Sequence, residues 1–167
     1  QTDKFIKTNY SSSTLQNKRF NKIDIQKVMG LKLDSNIPVI AMVSRLTPQK
    51  GLDLVKRVMP QIAEKDIQFL VLGTGDREYE DFFRYCEFAY HDKIRGIIKF
   101  DKALAQKLYA GADFLLMPSK FEPCGLSQLI AMRYGTIPIV RETGGLVDTV
   151  PPINNDTLEG RGITSER

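Results

Sequence analysis

Two short stretches of the sequence combine charged side chains with glycine in a pattern that could bind an anionic ligand. The first covers residues 44–51 and contains Arg45 and Lys50 directly before an expected helix. A helix start favours anions through its free N–H groups, and a guanidinium or an ammonium adds positive charge. The glycine-rich lead-in of a P-loop is missing. The two cations therefore indicate either an anion site or an ordinary solvated surface.

The second stretch, residues 118–128, places Glu122 just ahead of a glycine that opens another expected helix. A carboxylate in this position could bind sugar hydroxyls or stabilise a cationic sugar carbon. It could equally be a first-turn acid that complements the helix dipole. Cys124 lies in the same stretch without a neighbouring histidine in the sequence to activate it, so we reject a thiol mechanism.

Two further loops contain paired glycines, namely Gly73 with Gly75 and Gly144 with Gly145. Glycine allows a backbone to approach a ligand closely, although a tight turn explains such pairs equally well. The sequence has a single histidine, His91, and no Asp-x-Asp pair after a predicted strand. It therefore predicts neither a metal site nor a Ser-His-Asp triad.

Apolar runs alternate with helical patterns five times after residue 36. The predicted strands cover residues 37–43, 67–72, 95–100, 113–117 and 137–140. Helices are expected over 51–64, 76–88, 103–110 and 125–134, with a further helix start after Gly145. This alternation predicts an α/β fold, a Rossmann-like doubly wound parallel sheet with helices on both faces. In such sheets ligands bind beyond the carboxyl ends of the strands, where the charged and glycine-rich loops fall.

Residues 1–36 have a different, more polar and irregular character. A helix is expected over residues 18–30, and its apolar positions are Phe20, Ile23, Val28 and Met29. We interpret this part as a linker or docking segment, followed by a Rossmann-like domain over residues 37–167. Because the chain begins without Met, we expect it to be a piece of a larger protein.

Composition narrows the class of protein without naming a function. The chain has 167 residues, a formal net charge of +4 and two cysteines. That size suits one domain, and two cysteines far apart in the sequence favour a reducing compartment over a disulfide framework. No apolar run is long enough for a membrane helix. Aromatic residues are not interleaved with a basic stripe, so nucleic-acid binding has little support.

Three stretches in this order, residues 44–53, 118–128 and 143–149, resemble the bacterial glycogen synthase and plant starch synthase family. The likeness extends over about residues 17–150. It implies a GT-B architecture of which this chain is the C-terminal half, with residues 37–167 as the nucleotide-sugar-binding domain and the N-terminal acceptor domain absent. It also implies transfer of glucose from ADP-glucose to the non-reducing end of an α-1,4-glucan with retention, without a metal or other cofactor. The resemblance places such an enzyme in the bacterial cytoplasm or in a plastid, and a fragment alone is expected to be inactive.

The resemblance also implies roles for single residues. Arg45 and Lys50 would hold the donor diphosphate and Glu122 would face the donor glucose, so these three are the expected catalytic residues. Loss of either cation should lower the rate more than the affinity, because the departing diphosphate gains negative charge. Phe100 would lie against the adenine. The full set of expected donor-binding residues is Gly73, Gly75, Phe100, Cys124, Gly125, Leu126, Ser127, Gln128, Gly144 and Gly145.

Within that set, the resemblance assigns Cys124, Gly125 and Leu126 to the sugar, partly through backbone N–H groups. It assigns Ser127 and Gln128 to the nucleotide phosphates or the ribose. One departure is Ile130, which stands where many retaining GT-B enzymes have a second glutamate, so ribose recognition stays unassigned. Two other hypotheses remain: a non-catalytic nucleotide-sugar or glucan-binding module, and another GT-B enzyme such as a sucrose-linked transferase or a sugar epimerase.

Overall fold

The computed structural model of the chain describes residues 2–166, and its centre is one six-stranded sheet. The strands lie in the order β3-β2-β1-β4-β5-β6, and every neighbouring pair is parallel. Their bounds are β1 Val39–Val43, β2 Gln68–Leu72, β3 Ile94–Ile97, β4 Phe114–Met117, β5 Ile137–Arg141 and β6 Ile163–Ser165.

Helices cover both faces of this sheet. One hydrophobic cluster joins the sheet to the helices α2 and α3, and the other joins it to α1, α4, α5 and α6. The prediction of a doubly wound parallel sheet is therefore confirmed. The helices are α1 Lys18–Val28, α2 Leu52–Ala63, α3 Arg77–Ala89, α4 Lys102–Gly111, α5 Ser127–Arg133 and α6 Gly145–Thr149, with 3-10 turns at Ser12–Asn17 and Pro48–Lys50.

The order of the strands reverses direction between β1 and β4. From β1 the chain passes outward to β2 and β3, and it then returns to β4 on the other side of β1. The loops that follow β1 and β4 consequently diverge at the carboxyl edge and leave a crevice between them. Residues 44–51 and 118–126 form these two loops, so the topology alone brings the two charged stretches of the sequence together.

Strand β6 is the one strand of the described sheet that the sequence patterns did not predict. It has only three residues, and Ile163 and Ser165 are both exposed. A strand this short at an exposed edge shows neither an apolar run nor a clear alternation. Its place in the sheet depends on pairing with β5 through Ile139 and Ile163.

The first helix exposes two of the apolar positions that its sequence pattern contains. Phe20 is 45% exposed and Val28 is 50% exposed. The buried residues of this helix are Asn21, Lys22, Ile25 and Gln26, so three of the four are polar or charged. Polar side chains can be buried here because their hydrogen bonds are satisfied. For example, the Gln26 amide donates to the backbone oxygen of Asp34 and to the Gln68 side chain, both at 2.8–2.9 Å.

Side chains from the first 36 residues share a core with the rest of the protein. Tyr10, Ile25 and Leu31 belong to the same hydrophobic cluster as residues of β1, β2 and β4. Lys107 on α4 forms an ion pair with Asp24 on α1 at 3.0 Å. The division into a linker and a domain at residue 37 stays a prediction, but the segment before it packs directly on the sheet and its helices.

Within the described residues no helix combines the length and the apolar character needed to cross a membrane.

Candidate active site

A glycine joins the two loops of the crevice. Lys50 ends the 3-10 turn after β1, and Gly51 follows with φ of 71° before α2 begins. A Cβ atom on Gly51 would lie 2.0 Å from the backbone oxygen of Pro118, in the loop after β4. Only glycine combines this left-handed conformation with so close an approach. The chain folds locally so that Lys50 points across to the second loop.

The charged groups of the two loops meet inside the crevice. Lys50 Nζ lies 2.6 Å from Glu122 Oε2, and the two side chains are only 17% and 11% exposed. The buried hydroxyl of Ser119 lies 3.3 Å from the same carboxylate oxygen. A carboxylate this buried requires a charged partner and a hydrogen bond. The pair is therefore electrically neutral and fixed in position without a ligand.

Arg45 differs from Lys50 because its positive charge is not paired with a carboxylate in the described part of the chain and can contact a ligand. Its side chain is exposed, and no hydrogen bond or ion pair of its guanidinium occurs among residues 2–166. The residue follows β1 at the point where two cavities adjoin, and it lines both of them. A planar guanidinium with free donors at such a position suits the oxygens of a phosphate group.

The first cavity, which we call the polar cavity, has a volume of about 360 Å³. It contains the Lys50–Glu122 pair on one side and the start of α5 on the other. Its lining combines apolar side chains with a few charged and hydroxyl groups, and these polar groups could bind hydroxyl-rich or anionic parts of a ligand. The lining residues are Met42, Val43, Ser44, Arg45, Lys50, Leu116, Met117, Pro118, Ser119, Glu122, Gly125, Leu126 and Ser127.

The second cavity, which we call the apolar cavity, has a volume of about 450 Å³ and lies between the loops after β1, β2 and β3. Phe100 is 92% exposed at its edge, so its ring is available for stacking. Asp101 accepts a hydrogen bond from the Leu104 N–H and caps α4. The hydrogen bond with Lys99 holds the pKa of the Asp101 carboxyl below its ordinary value.

The loop after β5 supports Glu122 from behind. Gly145 donates its N–H to the Glu122 backbone oxygen at 3.0 Å, and Thr143 donates its hydroxyl to the Lys120 oxygen at 3.1 Å. A Cβ atom on Gly144 would lie 2.1 Å from the Glu122 backbone oxygen. These contacts fix the backbone that carries the carboxylate.

The predicted site residues occupy several different positions around the crevice. Arg45, Lys50 and Glu122 line the polar cavity together, as do Gly125, Leu126 and Ser127. Gly73 and Phe100 line the apolar cavity. Gly75 pairs with Leu46, Gly144 and Gly145 contact the backbone of residues 122–124, Cys124 is exposed, and Gln128 is fully buried. Their roles in donor binding stay predictions.

Some residues of the site were not found by sequence reasoning. Ser119 is 2% exposed and touches Glu122, and Tyr109 on α4 is a wall of the apolar cavity. Ser119 follows β4 by two positions in the same stretch as Glu122, so its place in the loop was a usable signal. Tyr109 lies outside the motifs of the sequence, and the packing of α4 against the sheet brings it to the cavity.

Comparison with known proteins identifies the family of the chain. The model for glycosyl transferases group 1 matches residues 26–159. The chain belongs to this glycosyltransferase family. The chain is 56% identical over 165 residues to a glycogen synthase of Bacillus subtilis and 52% identical over 164 residues to one of Clostridium beijerinckii. Each match covers 98% of this chain and 34% of the relative, so the chain spans about a third of the length of these curated relatives.

A solved structure has the same fold as this chain. The catalytic domain of starch synthase IV from Arabidopsis thaliana, bound to ADP and acarbose, superposes with a TM-score of 0.90 at 39% identity. The match covers 99% of this chain and 35% of the other. The predicted resemblance to glycogen and starch synthases is confirmed. The parallel sheet and its flanking helices match the C-terminal Rossmann-like domain of GT-B glycosyltransferases.

Proposed function

We propose that this glycosyltransferase is the donor-binding domain of a glucan synthase, in which glucose passes from ADP-glucose to the non-reducing end of an α-1,4-glucan with retention. The observation that carries the proposal is the meeting of two chemically different cavities at Arg45. A nucleotide sugar has the same three parts in the same order: an aromatic base with its ribose, a charged diphosphate and a hydroxyl-rich sugar.

The donor fits this arrangement with each part in a suitable environment. The adenine stacks on the exposed ring of Phe100 in the apolar cavity, since a base presents a large apolar face. The diphosphate crosses Arg45, whose guanidinium is unpaired among residues 2–166. The glucose occupies the polar cavity beside Glu122. The match to a structure that is bound to ADP and acarbose supports a nucleoside diphosphate as a ligand of this fold.

The charges of the site also suit the reaction. Breaking the bond between glucose and phosphate leaves negative charge on the diphosphate and positive charge on the sugar carbon. Arg45 and the Lys50 ammonium stabilise the first of these charges, and Glu122 stabilises the second. Because Lys50 is held 2.6 Å from Glu122, neither group has to be recruited from solvent during the reaction. Preorganised charges of this kind lower the barrier most.

The acceptor, the identity of the donor and the cellular location are proposed from the relatives and the family resemblance. The glucan acceptor binds from the opposite side of a cleft, against a second domain outside these 167 residues, which agrees with matches that span 34% of each relative. ADP-glucose as the donor is consistent with the glycogen synthase names of those relatives. We also propose that the enzyme is cytoplasmic, as the family resemblance implies. The two cations take the place of a metal in this proposal, and no cofactor is required.

Calorimetric titration of the purified chain with ADP-glucose, ADP and adenosine tests the proposal. ADP-glucose and ADP should bind with dissociation constants in the micromolar to millimolar range. Arg45→Ala should weaken ADP binding about 10-fold or more, the loss expected for hydrogen bonds to a charged group, and should leave adenosine binding unchanged. Arg57→Ala is the matched control, because Arg57 is an exposed arginine on α2 away from both cavities.

If the wild-type chain shows no detectable binding of ADP or ADP-glucose, donor binding is refuted. An equal loss of ADP affinity in the Arg45 and Arg57 variants would show that net charge alone attracts the nucleotide. Either result contradicts the placement of a diphosphate at Arg45.

A further inference from the structure

One buried amide side chain holds the loop that forms the floor of the polar cavity. Gln128, the second residue of α5, is 0% exposed. Its Nε2 donates to the backbone oxygens of Cys124 and Gly125, both at 3.0 Å, and to the hydroxyl of Thr149 at 3.2 Å. A single side chain therefore connects the loop after β4 to α6.

These hydrogen bonds fix the orientation of two peptide planes. The described residues contain no cis peptide bond, and a trans peptide points its C=O and N–H in opposite directions. Because the carbonyls of Cys124 and Gly125 turn towards Gln128, the N–H groups of Gly125 and Leu126 turn away from it. Neither N–H donates to an acceptor within residues 2–166, and both residues line the polar cavity.

The amide oxygen of Gln128 makes no hydrogen bond to another described residue, so the Nε2 donors are the part of the side chain that holds the loop. Gln128 Oε1 is buried and has no hydrogen-bond partner among the described residues. Exchanging the two amide atoms would turn an oxygen towards the carbonyls of Cys124 and Gly125, so the observed orientation is the favourable one. An apolar side chain of similar length would avoid the cost of the unpaired oxygen. The amide therefore contributes its N–H donors to the loop.

We infer that Gln128 is a positioning residue, which aims the N–H groups of Gly125 and Leu126 at the donor between Arg45 and Glu122. This inference rests on the proposed function, and it specifies how the loop recognises the sugar and the phosphate next to it. Peptide N–H groups held in advance by the protein stabilise oxygen atoms without a cost of reorganisation. Gln128 itself makes no contact with the donor in this arrangement.

The test compares two buried glutamines. Gln128→Met removes the donors and keeps the length of the side chain, and Gln26→Met removes a fully buried amide of α1 that lines neither cavity. We expect both variants to be less stable than the wild type. Below their unfolding transitions, Gln128→Met should bind ADP-glucose about 10-fold more weakly, as expected for one or two lost hydrogen bonds, with adenosine binding unchanged. Gln26→Met should bind both ligands as the wild type does.

Hydrogen exchange in the wild-type chain provides a second measurement that does not depend on a variant. The amide protons of Gly125 and Leu126 should exchange more slowly when ADP-glucose is present and should be unaffected by adenosine. Unchanged exchange, or a folded Gln128→Met variant that binds ADP-glucose as tightly as the wild type, would overturn the inference. A wild-type chain that binds no ADP-glucose would instead refute the proposed function, so the two failures can be distinguished.

Discussion

At the scale of single residues, the site combines a neutralised charge pair with a free cation. Lys50 and Glu122 neutralise each other inside the polar cavity, whereas Arg45 has no partner among residues 2–166. The cavity consequently has a net positive charge before any ligand arrives. This balance favours binding of a diphosphate at its open end and keeps the buried carboxylate from repelling it.

Phe100 provides a test of the apolar cavity at this scale. Phe100→Ala should weaken adenosine and ADP-glucose binding about 10-fold, because stacking of a base on an aromatic ring contributes about 1–3 kcal/mol. The free energy of unfolding should change by no more than about 0.5 kcal/mol, since the ring is 92% exposed. Calorimetry and chemical denaturation measure the two quantities.

Phe88→Ala is the control for that substitution. Phe88 is 82% exposed at the end of α3, so it has a similarly accessible ring outside the crevice. Its variant should bind both ligands as the wild type does. Equal affinities of the Phe88 and Phe100 variants for adenosine would contradict a base-stacking role for Phe100.

Sequence reasoning identified charged residues of the site better than their contacts. Arg45, Lys50 and Glu122 were found because the ends of parallel strands meet at one edge of a sheet. The direct Lys50–Glu122 contact depends on the approach of Gly51 to Pro118, which is a three-dimensional detail. The burial of Gln128 depends on the packing of α6, and its neighbours in the sequence do not reveal that contact.

At the scale of elements, the contact between the loops after β1 and β4 depends on Gly51. Gly51→Ala should lower the free energy of unfolding by more than about 2 kcal/mol, because the new Cβ would be strained by the positive φ and would overlap Pro118. Gly30→Ala is the control, since Gly30 has φ of 64° but its Cβ would meet nothing nearer than 3.9 Å. The Gly30 variant should lose only about 1 kcal/mol. Equal losses in urea denaturation would contradict the close contact.

The attachment of α1 to the rest of the fold should depend on pH. Lys18 Nζ donates to the Ala110 oxygen and to the Thr136 hydroxyl, both at 2.7 Å. Burial lowers the pKa of Lys18 from 10.5 to about 7, against the opposing effect of Asp113. Between these two pKa values the unfolded chain binds more protons than the folded one, so stability should rise with pH through this range.

Comparison with Lys18→Met isolates that contribution. From about pH 6 to about pH 8.5 the free energy of unfolding of the wild type should increase relative to that of the variant. The window ends below the ordinary thiol pKa of 9.0, so that Cys86 does not contribute. Parallel stability curves for the two proteins across this range would disprove a lowered pKa at Lys18.

The central elements were predictable because they are apolar and regular, and α1 shows where this reasoning fails. Residues 37–43 and 67–72 are apolar runs that became β1 and β2 with small changes at their ends. For α1 the sequence pattern predicted a helix, but it did not indicate which residues of that helix are buried. Buried amides and lysines that bond to backbone carbonyls of distant elements leave no apolar signature in the sequence.

At the scale of the whole molecule, the segment before residue 37 should be required for folding. Ile25 is 0% exposed within the hydrophobic cluster that joins the sheet to α1, α4, α5 and α6, whereas Ile163 is 46% exposed on the edge strand β6. Ile25→Ala should lower the free energy of unfolding by about 2–5 kcal/mol, the usual cost of a large core truncation. Ile163→Ala should change it by about 0.5 kcal/mol.

Chemical denaturation followed by circular dichroism measures both values. A single cooperative transition that shifts strongly in the Ile25 variant would mean that residues 1–36 and the sheet unfold together. A small effect of Ile25→Ala, similar to that of Ile163→Ala, would instead support a separable linker that rests on an independent domain.

The unequal environments of the two cysteines offer a practical route to observing the crevice. Cys124 is exposed on the loop that Gln128 holds, while Cys86 is 1% exposed and burial raises its pKa to about 11. Maleimide reagents need an accessible thiolate, so they should modify the first cysteine far faster than the second. A fluorescent dye could thus be attached next to the polar cavity of the unmutated chain, where its emission would report occupancy in real time.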